Sequence, residues 1–285
     1  MIYVLLSVVC SVLVSVLLKL ARRFEIDIGQ AIAWNYVVAS ALTALMLQPS
    51  LTTLHGSAAP WPALVGLGVL LPTIFLALGA SVKHAGIVRS DAAQRLSLLI
   101  SLLAAFVLFG ERLSAFKAAG IVVGLLALLC MVWRSGAGAK NDGAAAWLYP
   151  LLVLFGFGSI DILFKRVALA GIPLGASLQA MFALALLVAL ALQLWRRLHG
   201  HTRFTMRSAL GGAALGLANF GNILFYLRGH RALPQHPALV FASMNIGVVA
   251  LGALVGVLVF RERLSRLNFG GVVLALLAIG VIAWG

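Results

Sequence analysis

The ionisable and amide side chains of this chain are few, and their spacing sorts them into groups. Asp91 and Arg95 are four residues apart, with Gln94 and Ser97 beside them, so on a helix the acid and the base share a face and can pair. An arginine there presents a planar fork to a carboxylate, and with the acid alongside, the pair can receive both ends of a zwitterion. The same two residues can also serve as an internal ion pair that orients their helix near the headgroups. Asn219, Asn222 and Tyr226 follow one another at intervals of three and four, which places two amides and a phenol along one helical face. Ser243-Met244-Asn245 adds a further amide. Asp161 precedes Lys165 by one turn and is the candidate for a titrating carboxylate that couples protons to a transition; pairing with Lys165 is the competing expectation. Trp34-Asn35-Tyr36 combines two aromatic faces with an amide, a combination suited to a cation or a ring, although aromatics near helix ends also anchor at membrane interfaces.

These residues lie in unusual surroundings. Of 285 residues, 63% are hydrophobic and only 10% charged, against about 25% charged in ordinary globular domains. Ten segments approach the roughly 20 apolar residues needed to cross a bilayer: 2–20, 30–48, 62–82, 90–110, 114–133, 146–167, 173–195, 208–228, 237–260 and 265–284. Stretches 49–60, 134–143 and 196–203 are too polar and too rich in Gly, Pro or Arg to remain in hydrocarbon. The net charge of +14 sits in short clusters between apolar runs, which is the pattern of a membrane protein with basic loops rather than of a nucleic-acid binder. The run 2–20 follows Met1 without a charged leader and is read as a retained first helix. A charge at mid-bilayer costs at least about 2.5 kcal/mol, so Arg95, Asp91 and Asp161 are functional candidates by position alone.

The chain also repeats itself. Phe109-Gly-Glu-Arg-Leu-Ser114 recurs as Phe260-Arg-Glu-Arg-Leu-Ser265, each followed by an apolar helix ending in Trp133 or Trp284. Tyr3 aligns with Tyr149, Lys19 with Lys165, and His84 with His230; in the register of the repeated element Asn245 occupies the place of Gln94. Duplication accounts for these matches together. The expected organisation is a first five-helix repeat at 1–135, a linker at 136–145 and a second five-helix repeat at 146–285. Five is odd, so the second copy must enter the membrane in the opposite sense, giving an all-α membrane protein of two inverted repeats.

The Glu-Arg-Leu-Ser element between the fourth and fifth helix of each half resembles the EamA-type repeat of the drug/metabolite transporter superfamily. The resemblance covers nearly the whole chain. It implies a central cavity between the halves, lined by the third, fourth, eighth and ninth helices, and alternating access; the proline often found early in the fourth and ninth helices is missing near Leu98 and Val249. On that reading Arg95, Gln94, Asp91, Asn219, Asn222, Asn245, Tyr226, Trp34, Asn35 and Tyr36 are the substrate-binding candidates. The expected activity is export of a small, amino-acid-like polar or zwitterionic metabolite across a bacterial inner membrane by a multi-pass monomer or homodimer, with protons as coupling ion.

Several readings stand beside it. A flippase for a lipid-linked intermediate would need an open lateral groove with basic headgroup residues. An intramembrane aspartyl enzyme built on Asp91 and Asp161 is the remaining alternative, but no catalytic, P-loop or metal-binding motif is present, so no enzyme, cofactor or metal is expected. Loop charges place both termini outside the cytoplasm, whereas the family resemblance implies the reverse. Ser7, Ser11, Ser15 and Lys19 form a stripe at helical spacing, expected to be a close-packing seam. The symmetric Glu111 and Glu262 are expected to cap the link between helices. His84 and His230 are expected in loop or headgroup positions, and Gly120–Gly124, Gly212–Gly216 and Gly252–Gly256 are expected to permit close helix approach.

Overall fold

Long apolar runs must satisfy their own backbone polar groups in a bilayer, and the chain does so as helices throughout. A computed structural model describes residues 1–56, 59–85, 87–132, 144–200, 204–260 and 266–284. They form α1 (Ile2–Arg23), α2 (Ile28–Leu47), a short 3-10 turn (Leu51–Leu54), α3 (Trp61–Ala85), α4 (Ile87–Val107), α5 (Ala115–Val132), α6 (Ala144–Leu169), α7 (Leu174–Leu198), α8 (Met206–Ala232), α9 (Pro237–Phe260) and α10 (Arg266–Trp284). Each expected span has its helix, with ends that differ by a few residues. Among the described residues, seven are long and apolar enough to cross a membrane, and α4, α5 and α10 carry apolar stretches at Ala93–Val107, Ala115–Ala127 and Phe269–Ala278. The protein is an all-α membrane protein of ten helices. Most of the expected linker, Trp133 and the second Glu-Arg-Leu-Ser element lie outside the described residues.

Local chemistry sets the helix ends. Asp27 caps α2 by accepting from Gln30 N at 2.9 Å, and Thr205 caps α8 by accepting from Ser208 N. Pro237 opens α9 at the one helical position where a missing N–H costs nothing. After α4 the chain turns through Gly110 at φ +66°, a conformation open to glycine. Glu111 bonds both at its own link and beyond it: its Oε1 accepts from Lys117 Nζ in the first turn of α5 at 3.0 Å, and its Oε2 accepts from Ala238 N at the start of α9. A carboxylate on the free N–H groups of a helix start satisfies both.

The packing has a regular pattern. α1 packs on α8 and α3 on α6; α2 packs on α8 and α7 on α3; α1 packs on α9 and α6 on α4. α3 and α4 are neighbours, as are α8 and α9, while α5–α10, α2–α7 and α4–α9 join helices five places apart. Exchanging each helix for the one five places along turns each of these pairs into another of them or, for the last three, into itself. Two α8 glycines lie directly against backbone: a Cβ on Gly212 would lie 2.6 Å from Ala31 O, and one on Gly216 2.7 Å from Asn35 O. Of the three expected glycine pairs, this one lets α8 sit directly on the α2 backbone, whereas Gly252 in α9 faces open space. Leu64, Leu67, Leu98, Leu178, Met181, Phe182, Leu227 and Phe241 fill the interior. Leu45, Val107, Leu187 and Leu258 belong to an exposed apolar outer surface, the face a bilayer covers.

Candidate functional site

The polar residues of five helices meet at one cavity. Around a cavity of about 160 Å³ stand Ser11 and Ser15 of α1, Gln94 and Arg95 of α4, Asp161 of α6, Asn219, Asn222 and Tyr226 of α8, and Asn245 of α9. Apolar and aromatic side chains of α3, α6 and α9 complete it, among them Phe75, Phe157, Phe164 and Met244. Seven of the candidate residues read from the sequence, Gln94, Arg95, Asp161, Asn219, Asn222, Tyr226 and Asn245, therefore share one space, although they span more than half the length of the chain.

Asp161 is the centre of the polar network. Its Oδ2 accepts from Ser101 Oγ at 2.7 Å and from Asn245 Nδ2 at 3.4 Å, and its Oδ1 accepts from Tyr226 Oη at 2.8 Å. One carboxylate on α6 thus links α4, α8 and α9. Hydrogen bonds to a charged group are worth about 1.5–3 kcal/mol each, roughly twice a neutral one. Tyr226 is held in turn by an edge contact with Phe164, ring centroids 5.7 Å apart. Asn245 Nδ2 also reaches Phe241 O at 3.1 Å, and Ser7 Oγ lies 2.9 Å from both the carbonyl and the Oδ1 of Asn222. These contacts fix the amides before any ligand arrives.

The structure departs from the sequence reading at several points. Lys165 does not pair with Asp161: its ammonium, fully buried, donates to Pro234 O at 2.8 Å, because the α8–α9 turn comes within reach and offers a carbonyl there. Trp34, Asn35 and Tyr36 are not at the cavity. Trp34 lines a separate lateral groove between α2 and α7, Asn35 is buried on α2, whose carbonyl at that residue meets Gly216, and Tyr36 is buried against Phe182 at 6.3 Å. Ser11 and Ser15, read as a packing seam, face the cavity, while Ser7 bonds α8. His230 is not at a headgroup but wholly buried between the rings of Tyr226 and Phe241; His84 stacks on Tyr149 at 5.1 Å. The side chain of Asp91 lies outside the described residues, as does Glu262. Ser101 was not among the candidates, and its spacing of one turn from Ser97 on the Gln94 face is the signal that marks it. Among the described residues no group of His, Cys, Asp and Glu could hold a metal ion.

Residues 1–133 match the EamA-like transporter family. The chain belongs to that family. An uncharacterised protein of Haemophilus influenzae is 43% identical to this EamA-like transporter over 278 residues, spanning 96% of this chain and 94% of its own. A crystal structure covering 99% of the chain, with 96% of its own length covered, superposes with a TM-score of 0.74 at 18% identity, a likeness in fold alone. The transporter is thus a multi-pass membrane protein of the drug/metabolite type.

Proposed function

We propose that this transporter is a secondary carrier, in the exporting direction, for a small zwitterionic or polar metabolite of amino-acid-like chemistry. One observation carries the reading: a guanidinium, a carboxylate and four amides, Arg95, Asp161, Gln94, Asn219, Asn222 and Asn245, line a single cavity whose remaining wall is aromatic and aliphatic. Such a cavity offers opposite charges to the two ends of a zwitterion and a dry wall to its side chain. Alternating access arises from rocking of two inverted five-helix units, 1–135 and 146–285, joined by the linker 136–145, about the midplane site. The exchange pattern of helix neighbours supports this organisation. Asp161 is the coupling carboxylate: it bonds to one helix of the first unit and two of its own, so gain of a proton would loosen contacts across the moving boundary. The site of action is a bacterial inner membrane.

The test is counterflow in proteoliposomes after a ligand screen by thermal stabilisation over amino acids, sugars, nucleosides and quaternary amines. A carrier exchanges labelled for unlabelled ligand without covalent change, and Asp161→Asn removes the dependence on external pH. Retention of full pH dependence in Asp161→Asn rules out this carboxylate as the coupling group. Flipping of a lipid-linked intermediate is the second reading, favoured by the lateral groove. That groove shares no lining residue with the polar cavity, so a flippase would handle its lipid at a site apart from Asp161.

A further inference from the structure

The larger concavity is not the polar cavity but the groove between α2 and α7, about 540 Å³, within the roughly 300–1,000 Å³ range of ligand sites. Ala33, Val37, Leu190 and Leu194 make its walls. Leu190 and Leu194 are 47% and 59% exposed on the apolar outer surface, so the groove opens sideways into the bilayer. Its polar groups are gathered at one end, where α7 finishes, α2 begins and Phe204 leads into α8.

That end has a definite charge. Asp27 is engaged by both arms of Arg196, at 2.8 and 2.9 Å, so the acid nearest the groove is neutralised. Arg197, the next residue, lines the groove with Gln193 and Gln30, and Arg207 is exposed on the first turn of α8 close in sequence. Trp34 and Phe204, ring centroids 6.3 Å apart, sit at the same end, as aromatics do at the boundary between hydrocarbon and headgroups. The opposite end of the α2–α7 pair is built differently. There the 3-10 turn Leu51–Leu54 packs on α7, Leu54 is buried in the core, and its carbonyl accepts from Trp61 Nε1 at 3.1 Å. The connection between α2 and α3 is thus packed against α7 at that end.

We infer that this groove is a binding site for an anionic phospholipid of the surrounding leaflet, with an acyl chain along the α2 and α7 walls and the phosphate on Arg197. Charge complementarity decides the class: an apolar slot in the hydrocarbon layer ending in an exposed guanidinium and two amides matches a tail joined to an anion. A zwitterionic lipid presents a compensating cation and gains less.

The experiment uses the purified full-length chain in a neutral detergent. Thermal midpoints are measured with added phosphatidylglycerol or phosphatidylcholine of equal chain length, and lipids retained are counted by native mass spectrometry. Phosphatidylglycerol should stabilise more, and Arg197→Gln should weaken its binding about fivefold, bringing it to the phosphatidylcholine level, since a basic residue near an anionic surface contributes about 1 kcal/mol. Arg207→Gln, outside the groove, should leave the preference intact. Ala191→Trp, which fills the groove from an exposed position, should abolish retention of both lipids. An unchanged preference in Arg197→Gln, or equal loss in Arg207→Gln, overturns the site in favour of diffuse surface charge; undiminished retention in Ala191→Trp overturns the groove itself. None of these readouts depends on transport, so the outcome is independent of the carrier proposal.

Discussion

The polar cavity and the lateral groove are two concavities of one helix bundle, and they differ in what a membrane makes costly. The groove is more than three times the larger by volume, about 540 against about 160 Å³, yet its walls are the same Ala, Val and Leu chemistry as the outer surface. In the cavity, a carboxylate, a guanidinium and four amides stand where burial of any of them costs free energy unless something binds them. Size therefore marks where a lipid tail fits, and polar density marks where a transported molecule fits. The two share no lining residue.

The strongest way to break this contrast is to remove the acid. Asp161→Ala takes the shared acceptor from Ser101 and Tyr226, and each buried group left unpaired costs about 1–3 kcal/mol. Counterflow should fall by about 100-fold or more. Leu194→Ala in the groove should change it by no more than about twofold, as a lipid-facing truncation within about 0.5 kcal/mol. Equal losses in the two variants would place the groove on the transport path together with the cavity. Arg95→Ala comes next. Loss of a charged hydrogen-bonding partner should weaken ligand-induced thermal stabilisation about ten- to 100-fold in midpoint concentration, with Arg95→Lys between the two. Full stabilisation in Arg95→Ala would move the anion end of the ligand elsewhere in the cavity.

How far the sequence announced this arrangement depends on which constraint each residue obeys. Ten helices were legible because hydrocarbon leaves the backbone no alternative, and Asn219, Asn222, Asn245, Gln94 and Arg95 were legible because a polar side chain deep in an apolar run has few reasons to be there. Trp34-Asn35-Tyr36 was misplaced because α2 is apolar on every side, so periodicity could not say which face turned inward. Lys165 misled because a neighbour four residues away is visible in the sequence, while the Pro234 carbonyl is brought to it only by the fold. Ser101 was obscured by its ordinary role, since its hydroxyl also lies 3.3 Å from Ser97 O in the common helical back-bond. The groove has no sequence signal of its own: its walls are the same Ala, Val and Leu that face outward elsewhere on the bundle.

The packing of α2 on α8 can be probed as stability. A Cβ at Gly212 would lie 2.6 Å from a backbone oxygen, whereas one at Gly252 meets nothing within 4 Å. Gly212→Val should destabilise by about 1–3 kcal/mol through overpacking, and Gly252→Val by less than about 0.5 kcal/mol, read as unfolding in the same detergent. Equal effects would show that α2 and α8 are not held by this contact.

The smallest effect is also the most discriminating. Tyr226→Phe removes one of three donors to Asp161 and leaves the ring, its edge contact with Phe164 and the cavity volume in place. Ser101 and Asn245 still hold the carboxylate, so ligand affinity should drop only about three- to tenfold, the worth of one hydrogen bond at about 0.5–1.5 kcal/mol. If Tyr226 acts through Asp161, its removal should cost almost nothing once Asp161→Asn has replaced the charged acceptor, and the double variant should fall well short of the sum of the singles. If Tyr226 contacts the ligand independently, the two losses should add. Additivity would leave Asp161 as a structural hub and transfer recognition to the α8 face alone, whereas non-additivity joins the hub and the binding site into one device.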